Sequence, residues 1–442
     1  MVGTQDARQL LRWGLRHGVM RAFLLRTARR GDLGARLMVD PALRDDPYAS
    51  YEELRARGRL VPTGVAPTTA DHAVCTAVLR SPDFGSGAPA RDDLSPPVRW
   101  AMRLSEGGPL NAADPPSMLA VDPPDHTRYR KLVTRAFSAR RVTALSGRVA
   151  EIAEELLDGM AAKAAAGAPV DLVADYASLL PATVIAEMLG APVSMRRQFL
   201  RWGAGAALSL DPGLTWRDYR RSQRDEAALQ GWMTGHLDRL RRSPGDDLLS
   251  ALVAVHDDGE GLTHDELLSI ASLVLAAGFE TTVNLLGNGA ALLVAHPDQL
   301  AALREGRASW ATATDEVLRF DSPVQRTGRL ALRDTEVDGE RVAGGSLVIL
   351  LLAGANRDPA VFADPQRFDV TRTDADRHIA FSQGIHYCLG AGLARLEGEI
   401  GLRALFDRFP DLALAGPPRR RETRLLRGFD AMPVALGAPV NA

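Results

Sequence analysis

Cys388 is the residue of this 442-residue chain whose setting most demands a chemical reading. It lies in F-S-Q-G-I-H-Y-C-L-G-A-G-L-A-R-L-E, Phe381 to Glu397. A glycine-bearing loop leads into the cysteine, and a helical pattern follows from about Leu389. A cysteine at or just before a helix N-terminus meets free backbone N–H groups and the positive end of the helix dipole, which favour a thiolate. Gly384 and Gly390 let the backbone pass close to something flat and large, and Phe381 is placed to shield the sulfur from water. An isolated cysteine is more often a small buried hydrophobe, but that reading leaves the spacing of Phe381, Gly384, His386, Cys388 and Gly390 unexplained. A tetrahedral zinc site needs more ligands than are near: the only other cysteine is Cys75, and only His378 and His386 lie close.

A second constellation is A-A-G-F-E-T-T, Ala276 to Thr282, in the middle of an apolar stretch from 263 to 296. As one helix that stretch spans ~50 Å at about 1.5 Å per residue, enough to cross a domain. Gly278 weakens such a helix. A buried Glu280 must be paired or neutralised, and hydroxyls such as those of Thr281 and Thr282 bend helices by bonding back to carbonyls. Polar residues kept against these costs are either a functional acid–alcohol pair or a packing or water site, and the residues alone leave both readings open.

Two further sets of charges stand out. Glu316 and Arg319 share one helical face, a spacing repeated at Glu52 and Arg55, and its usual meaning is an exposed pair worth little. In V-D-P-P-D-H-T-R-Y-R, Val121 to Arg130, the prolines open a helix that puts His126 and Arg130 four apart on one face. Arg128, Lys131 and Arg135 read as a solvated face, or as a surface for an acidic partner protein.

The Cys388 segment resembles the haem-binding loop of the cytochromes P-450, F-G-x-G-x-H-x-C-x-G, with Ser382 in place of the first glycine. Ala277 to Thr282 resembles that family's oxygen-binding helix, A-G-x-[DE]-T-T, and Glu316 and Arg319 its Glu-x-x-Arg helix. The motifs follow the family's order over roughly residues 45–437. The resemblance implies haem b with Cys388 as iron ligand, the thiolate pushing electron density to favour O–O cleavage. Phe381, Ser382 and Gly390 are implied to border the cofactor, and Ala277 and Gly278 to leave room for oxygen. His126, Arg130, Arg329 and His386 are implied to bind the propionates, which want fixed cations or donors. Thr281 is implied to hydrogen-bond bound oxygen, with Glu280 relaying protons. Glu316, Arg319 and Arg367 are implied to brace the cysteine loop.

The activity so implied is monooxygenation: one oxygen atom enters a C–H or C=C bond of a lipophilic small molecule, in secondary metabolism. Electrons would come from NAD(P)H through a separate ferredoxin and ferredoxin reductase, since no flavin or iron–sulfur segment is present. The implied pocket is walled by the loop near 85–119, the region near 195–216 and Val324 to Thr327. Met118, Leu119 and Val324 are candidate walls, with Trp100, Met102, Leu104, Leu208 and Leu210 as further apolar members. One alternative is a non-catalytic relative acting as a partner or binding protein, which would not need Cys388, Glu280 and Thr281 together. Another is a peroxide-driven enzyme, which has less use for an acid–alcohol pair.

The elements that must position these residues read as mainly α with small β-sheets. The family fold implies one large domain, residues 41–442, behind an N-terminal extension, residues 1–40. Helical stretches run from about 125 to 167, 170 to 190, 217 to 242 and 263 to 296, and Asp338-Gly339 marks a hairpin turn within 329–352. A chain that is 46% hydrophobic and 24% charged, with net charge −2, is globular in composition and not built for nucleic acid. Two cysteines are too few for a disulfide framework and fit a reducing cytosol. The start M-V-G-T-Q-D-A-R has no signal-peptide core, and the apolar stretch Leu267 to Phe279 falls short of the ~20 residues of a membrane span, so a cytoplasmic protein with no transmembrane segment is expected. Arg8 to Arg30 contains no acid. Arg8, Arg12 and Arg16 share one face and Leu11, Leu15 and Val19 a neighbouring one, a basic amphipathic helix. It reads as folded back on the body, with a membrane-surface or partner contact as the alternative. Arg196, Arg197 and Arg201 read as a solvated face, with a substrate carboxylate as the alternative.

Overall fold

The computed structural model describes residues 4–86, 107–134, 137–257 and 262–438. Helices make up 59% of the chain and the sheets are small. The expected helical stretch at 125–167 is three helices, Asp125–Thr134, Ala139–Ala144 and Ser146–Ala165. The stretch at 170–190 opens instead as a strand, Val170–Asp171, and becomes α-helical only at Leu179–Met188. Val170 there pairs with Val434 of the C-terminal strand, so tertiary pairing overrides the local pattern.

The centre of the fold is one helix, His264–Ala295, 32 residues long. Thr263 caps it and Glu266 bonds back to the Thr263 N–H, the reciprocal capping that satisfies two orphan donors. Leu267, Ile270, Leu275, Phe279 and Leu285 are buried, each contributing about 1.5–3 kcal/mol by leaving water. Against this helix pack Leu179–Met188, Arg196–Leu208, Trp216–Arg242 and Ala391–Arg408. The central helix fills the stretch read as 263–296, and its apolar window runs beyond Leu267–Phe279. Among the described residues it is the one helix long and apolar enough to cross a membrane, yet 72% of its most apolar window is buried inside the protein.

The largest sheet has four strands, in the order Thr68–Thr69, Leu347–Leu350, Thr327–Ala331, Phe84–Gly85. Arg329 pairs with Val348 in its antiparallel register, which fixes one basic side chain of the site described below. The expected hairpin turn is present: Val337 pairs with Glu340, and Asp338 (φ 54°) and Gly339 (φ 82°) both adopt the positive φ that a two-residue turn requires.

The N-terminal helices, Thr4–Trp13 and Val19–Arg29, fold back on the body. Trp13 Nε1 donates to Leu214 O (2.9 Å), Arg21 to Gly213 O (3.3 Å), and His17 packs on Tyr219 with ring centroids 5.4 Å apart. Val19, Met20 and Phe23 remain exposed.

Candidate active site

The Cys388 loop is closed by its own backbone. Cys388 N–H donates to Phe381 O at 2.9 Å, and the helix Ala391–Arg408 begins with Gly390 as its N-cap, slightly later than the sequence reading placed it. The thiol is free and half-buried. Burial pushes it up from its ordinary value, while the Gly390 N–H and the guanidinium groups of Arg130 and Arg395 pull it back. The thiolate-favouring donors are thus in place but outweighed, and a metal cation at the sulfur reverses that balance outright. The Phe381 ring lies beside this loop, with the Arg395 guanidinium 4.8 Å from its centroid. Gly384 has φ +69°, and a Cβ there would lie 2.2 Å from Leu79 O, so no side chain fits. Ser382, where the family pattern has glycine, is held at φ 61°, a left-handed conformation that costs an L-residue about 1–2 kcal/mol, and its Oγ is buried without a hydrogen-bond partner.

Four basic side chains converge beside the loop. His126 and His386 pack with ring centroids 4.2 Å apart and planes tilted by 50°. Burial foremost, with His386, Arg130 and Arg329, lowers His126 to about 4 against the opposing Asp122. Among the described residues Arg329, 6% exposed, donates to Thr327 Oγ1 and Gly328 O, and burial lowers it to about 10 against the opposing Asp122. His386 Nε2 is buried with no hydrogen-bond partner, Asp122 Oδ1 standing 3.7 Å away. Two guanidinium groups, Arg130 and Arg329, sit there beside the one carboxylate of Asp122, and an excess of cations is costly to bury. Two propionate carboxylates are the donor-matched remedy. The free sulfur, the orphaned His386 nitrogen and the buried Arg329 therefore fit a haem.

On the central helix, Ala277 is exposed and Thr281 half-exposed although the flanking turns are buried, so one face opens at mid-length. Thr281 Oγ1 donates back to Ala277 O at 3.1 Å. A Cβ at Gly278 would lie 2.9 Å from the Ile185 side chain, so the small size of this residue also admits the neighbouring helix. Glu280 is buried and forms an ion pair with Arg421. Burial raises its carboxyl and Arg421 opposes the rise. Neither Arg421 nor Glu397, a fully buried carboxyl facing Thr282 and pushed up to about 8, was singled out from the sequence. The only signal for Arg421 is the run Arg419-Arg420-Arg421.

Glu316 and Arg319 are fully buried, joined by two hydrogen bonds of 2.6 and 2.8 Å. Arg319 also donates to the carbonyls of Asn356, Pro365 and Arg367. The third partner is a correction: Arg367 offers only its carbonyl and its side chain is exposed, whereas Arg372 Nε lies 3.5 Å from Glu316 Oε2. Arg128 is a second correction. It forks onto Glu266 at 2.7 and 3.1 Å and so belongs to the helix-capping network, while Lys131 is exposed and Arg135 lies outside the described residues. Of the pocket residues, Met118 is buried beside Tyr129, Val324 is half-buried and bridges Leu426, and Leu119 is 46% exposed. Leu208 and Leu210 are half-buried; Trp100, Met102 and Leu104 lie outside the described residues. Arg197 and Arg201 are exposed, and Arg196 donates to Thr183 Oγ1.

Comparison with known proteins agrees with this geometry. The model of the family described as cytochrome P450 matches residues 112–307 and 311–423. The Mycobacterium tuberculosis protein described as cytochrome P450 140 is 49% identical over 430 residues, 97% of both chains. The 6-deoxyerythronolide B hydroxylase of Saccharopolyspora erythraea is 46% identical over 326 residues, 72% of this chain and 78% of that one. Among solved structures, the cytochrome P450 PksS of the Bacillus subtilis bacillaene polyketide synthase superposes with a TM-score of 0.77 at 31% identity, over 90% of this chain and 98% of that one. The chain belongs to the cytochrome P450 family, the haem-thiolate monooxygenases.

Proposed function

We propose that this enzyme inserts one atom of dioxygen into a lipophilic small molecule of secondary metabolism, by hydroxylation or epoxidation. The observation that carries the reading is Arg130, whose charge acts on the Cys388 thiol and on His126 alike, so that the sulfur and the basic cluster form one site. Haem b bound there supplies the iron at which dioxygen is activated. Cys388 would ligate it, and His126, Arg130, Arg329 and His386 would hold its propionates. Phe381, Ser382 and Gly390 would border it on the loop side and Ala277 on the helix side. The Thr281 hydroxyl would turn from Ala277 O to donate into the open face of the helix, and Glu280, held by Arg421, would hold or release a proton at its carboxyl. Glu316, Arg319 and Arg372 would keep the loop rigid. Met118, Leu119 and Val324 would face substrate and exclude water.

The substrate class rests on the names of relatives, one a 6-deoxyerythronolide B hydroxylase and another the P450 of a polyketide synthase. Electrons would pass singly from NAD(P)H through a ferredoxin reductase and ferredoxin, in the cytoplasm. Residues 41–442 would form the catalytic domain and 1–40 an extension strapped over it. Nothing favours a non-catalytic role. The test is isotopic: with ferredoxin, reductase and NADPH supplied, 6-deoxyerythronolide B and related macrolactones are screened for a product carrying one oxygen from labelled dioxygen. Labelled product supports the reading; oxygen appearing only from water in every product opposes it.

A further inference from the structure

Between the segments 37–51, 325–326 and 420–428 lies a small pocket that is partly open to solvent. Six arginines line it, Arg44, Arg326, Arg420, Arg421, Arg424 and Arg427, and no acidic residue does. Four of them have carboxylate partners. Arg427 and Arg420 share Asp321 at 2.6 and 3.2 Å, Arg421 holds Glu280, and Arg44 lies 3.2 Å from Asp45. The other two have no ion pair among the described residues. Arg326 donates Nη1 to Leu37 O at 3.1 Å, and its buried Nη2 has no hydrogen-bond partner. Arg424 engages only its backbone N–H, on Asp211 Oδ2 at 2.8 Å.

Asp211 is a weak counterion for them. It is buried, and its two oxygens are taken by the N–H groups of Arg424 and Leu425, both at 2.8 Å. Burial lowers Arg424; Asp211 opposes this, and Arg326, Arg21 and Arg44 add to it. Like charges facing one cavity repel, and each desolvated guanidinium carries a penalty that only an anion removes. The planar fork of arginine matches carboxylate and phosphate oxygens in pairs.

We propose that this arginine-lined pocket is an anion-binding site, for a carboxylate or phosphate group held by Arg326 and Arg424. The group is either the acid head of a substrate entering beside Val324 and Leu426 or a free anion. Arg421 in the wall also holds Glu280, so an occupant adjoins the acid of the central helix.

The first arm of the test does not depend on haem. Thermal unfolding of the full chain is compared in inorganic phosphate and in chloride at matched ionic strength. Phosphate should raise the midpoint of the wild type, fail to do so in Arg326→Gln and Arg424→Gln, and regain part of the effect in Arg424→Lys, which keeps the charge. In the second arm, the holoenzyme is titrated with laurate and with dodecanol while the Soret band is followed. Laurate binding roughly tenfold tighter than the alcohol, with the preference lost in Arg424→Gln, identifies a substrate head group. Phosphate stabilisation without a laurate preference identifies a free anion. Equal responses of wild type and both glutamine variants in both arms overturn the proposal.

Discussion

Arg421 donates through Nη1 to Glu280 Oε2, joining the middle of the central helix to a residue 141 positions further along the chain. The carboxylate is 3% exposed, and this guanidinium is its ion-pair partner among the described residues. Arg421→Ala should therefore cost about 3 kcal/mol or more at neutral pH, read by urea unfolding. Combining it with Glu280→Gln should restore most of the loss, because the uncompensated charge is gone. Additive losses in the double variant would show that the two residues act independently.

Thr281 spends its hydroxyl on Ala277 O, a bond it can give up cheaply because that face is open. Thr281→Ala should leave haem binding and fold intact while product formed per NADPH falls by about tenfold or more, the missing electrons appearing as peroxide. An unchanged yield per electron would remove Thr281 from proton delivery.

Two loop positions, one residue apart on either side of Gln383, should respond in opposite directions. Ser382→Gly relieves a left-handed conformation and should stabilise the protein by up to about 1 kcal/mol, the relief being partly offset by chain entropy. Gly384→Ala combines a positive φ with a Cβ 2.2 Å from Leu79 O, so it should destabilise the fold and reduce haem retention. Calorimetry on both variants decides the point; equal and opposite changes to these would show that the loop backbone adopts another path.

Glu226 supplies a pH test away from the cysteine loop. It is buried on the helix Trp216–Arg242, its Oε1 lacks a partner, and burial pushes it up to about 8, with Ser209 and Ser222 opposing. The folded state thus keeps a proton that the unfolded chain releases near its ordinary value of 4.5. Stability should fall as pH rises from there toward about 8, by at most about 1.4 kcal/mol per pH unit for this one group, and then level off. Glu226→Gln should flatten that part of the profile. The same slope in wild type and variant would mean that Glu226 is ionised in the folded protein.

What the sequence made legible was whatever lies within one continuous segment. The Cys388 loop, the central helix and the Asp338-Gly339 turn each carry their signal in fewer than forty consecutive residues, where helical or turn periodicity relates spacing to direction. What it hid was assembled across segments. Arg372 rather than Arg367 reaches Glu316 because the chain between them is irregular, and no period tells which arginine turns inward. Arg421 and the arginine pocket depend on a C-terminal excursion returning to the core. The close approach of Ile185 to Gly278 was hidden for the same reason, since that neighbour comes from a different helix.

The central claim is that Cys388 is a thiolate ligand of haem iron. The direct measurement is the absorption spectrum of the dithionite-reduced protein with and without carbon monoxide, for the wild type and Cys388→Ser. The account predicts a strongly red-shifted Soret band in the wild type that is lost in the variant. A histidine-like, unshifted band in the wild type, or the same red-shifted band in Cys388→Ser, would contradict it.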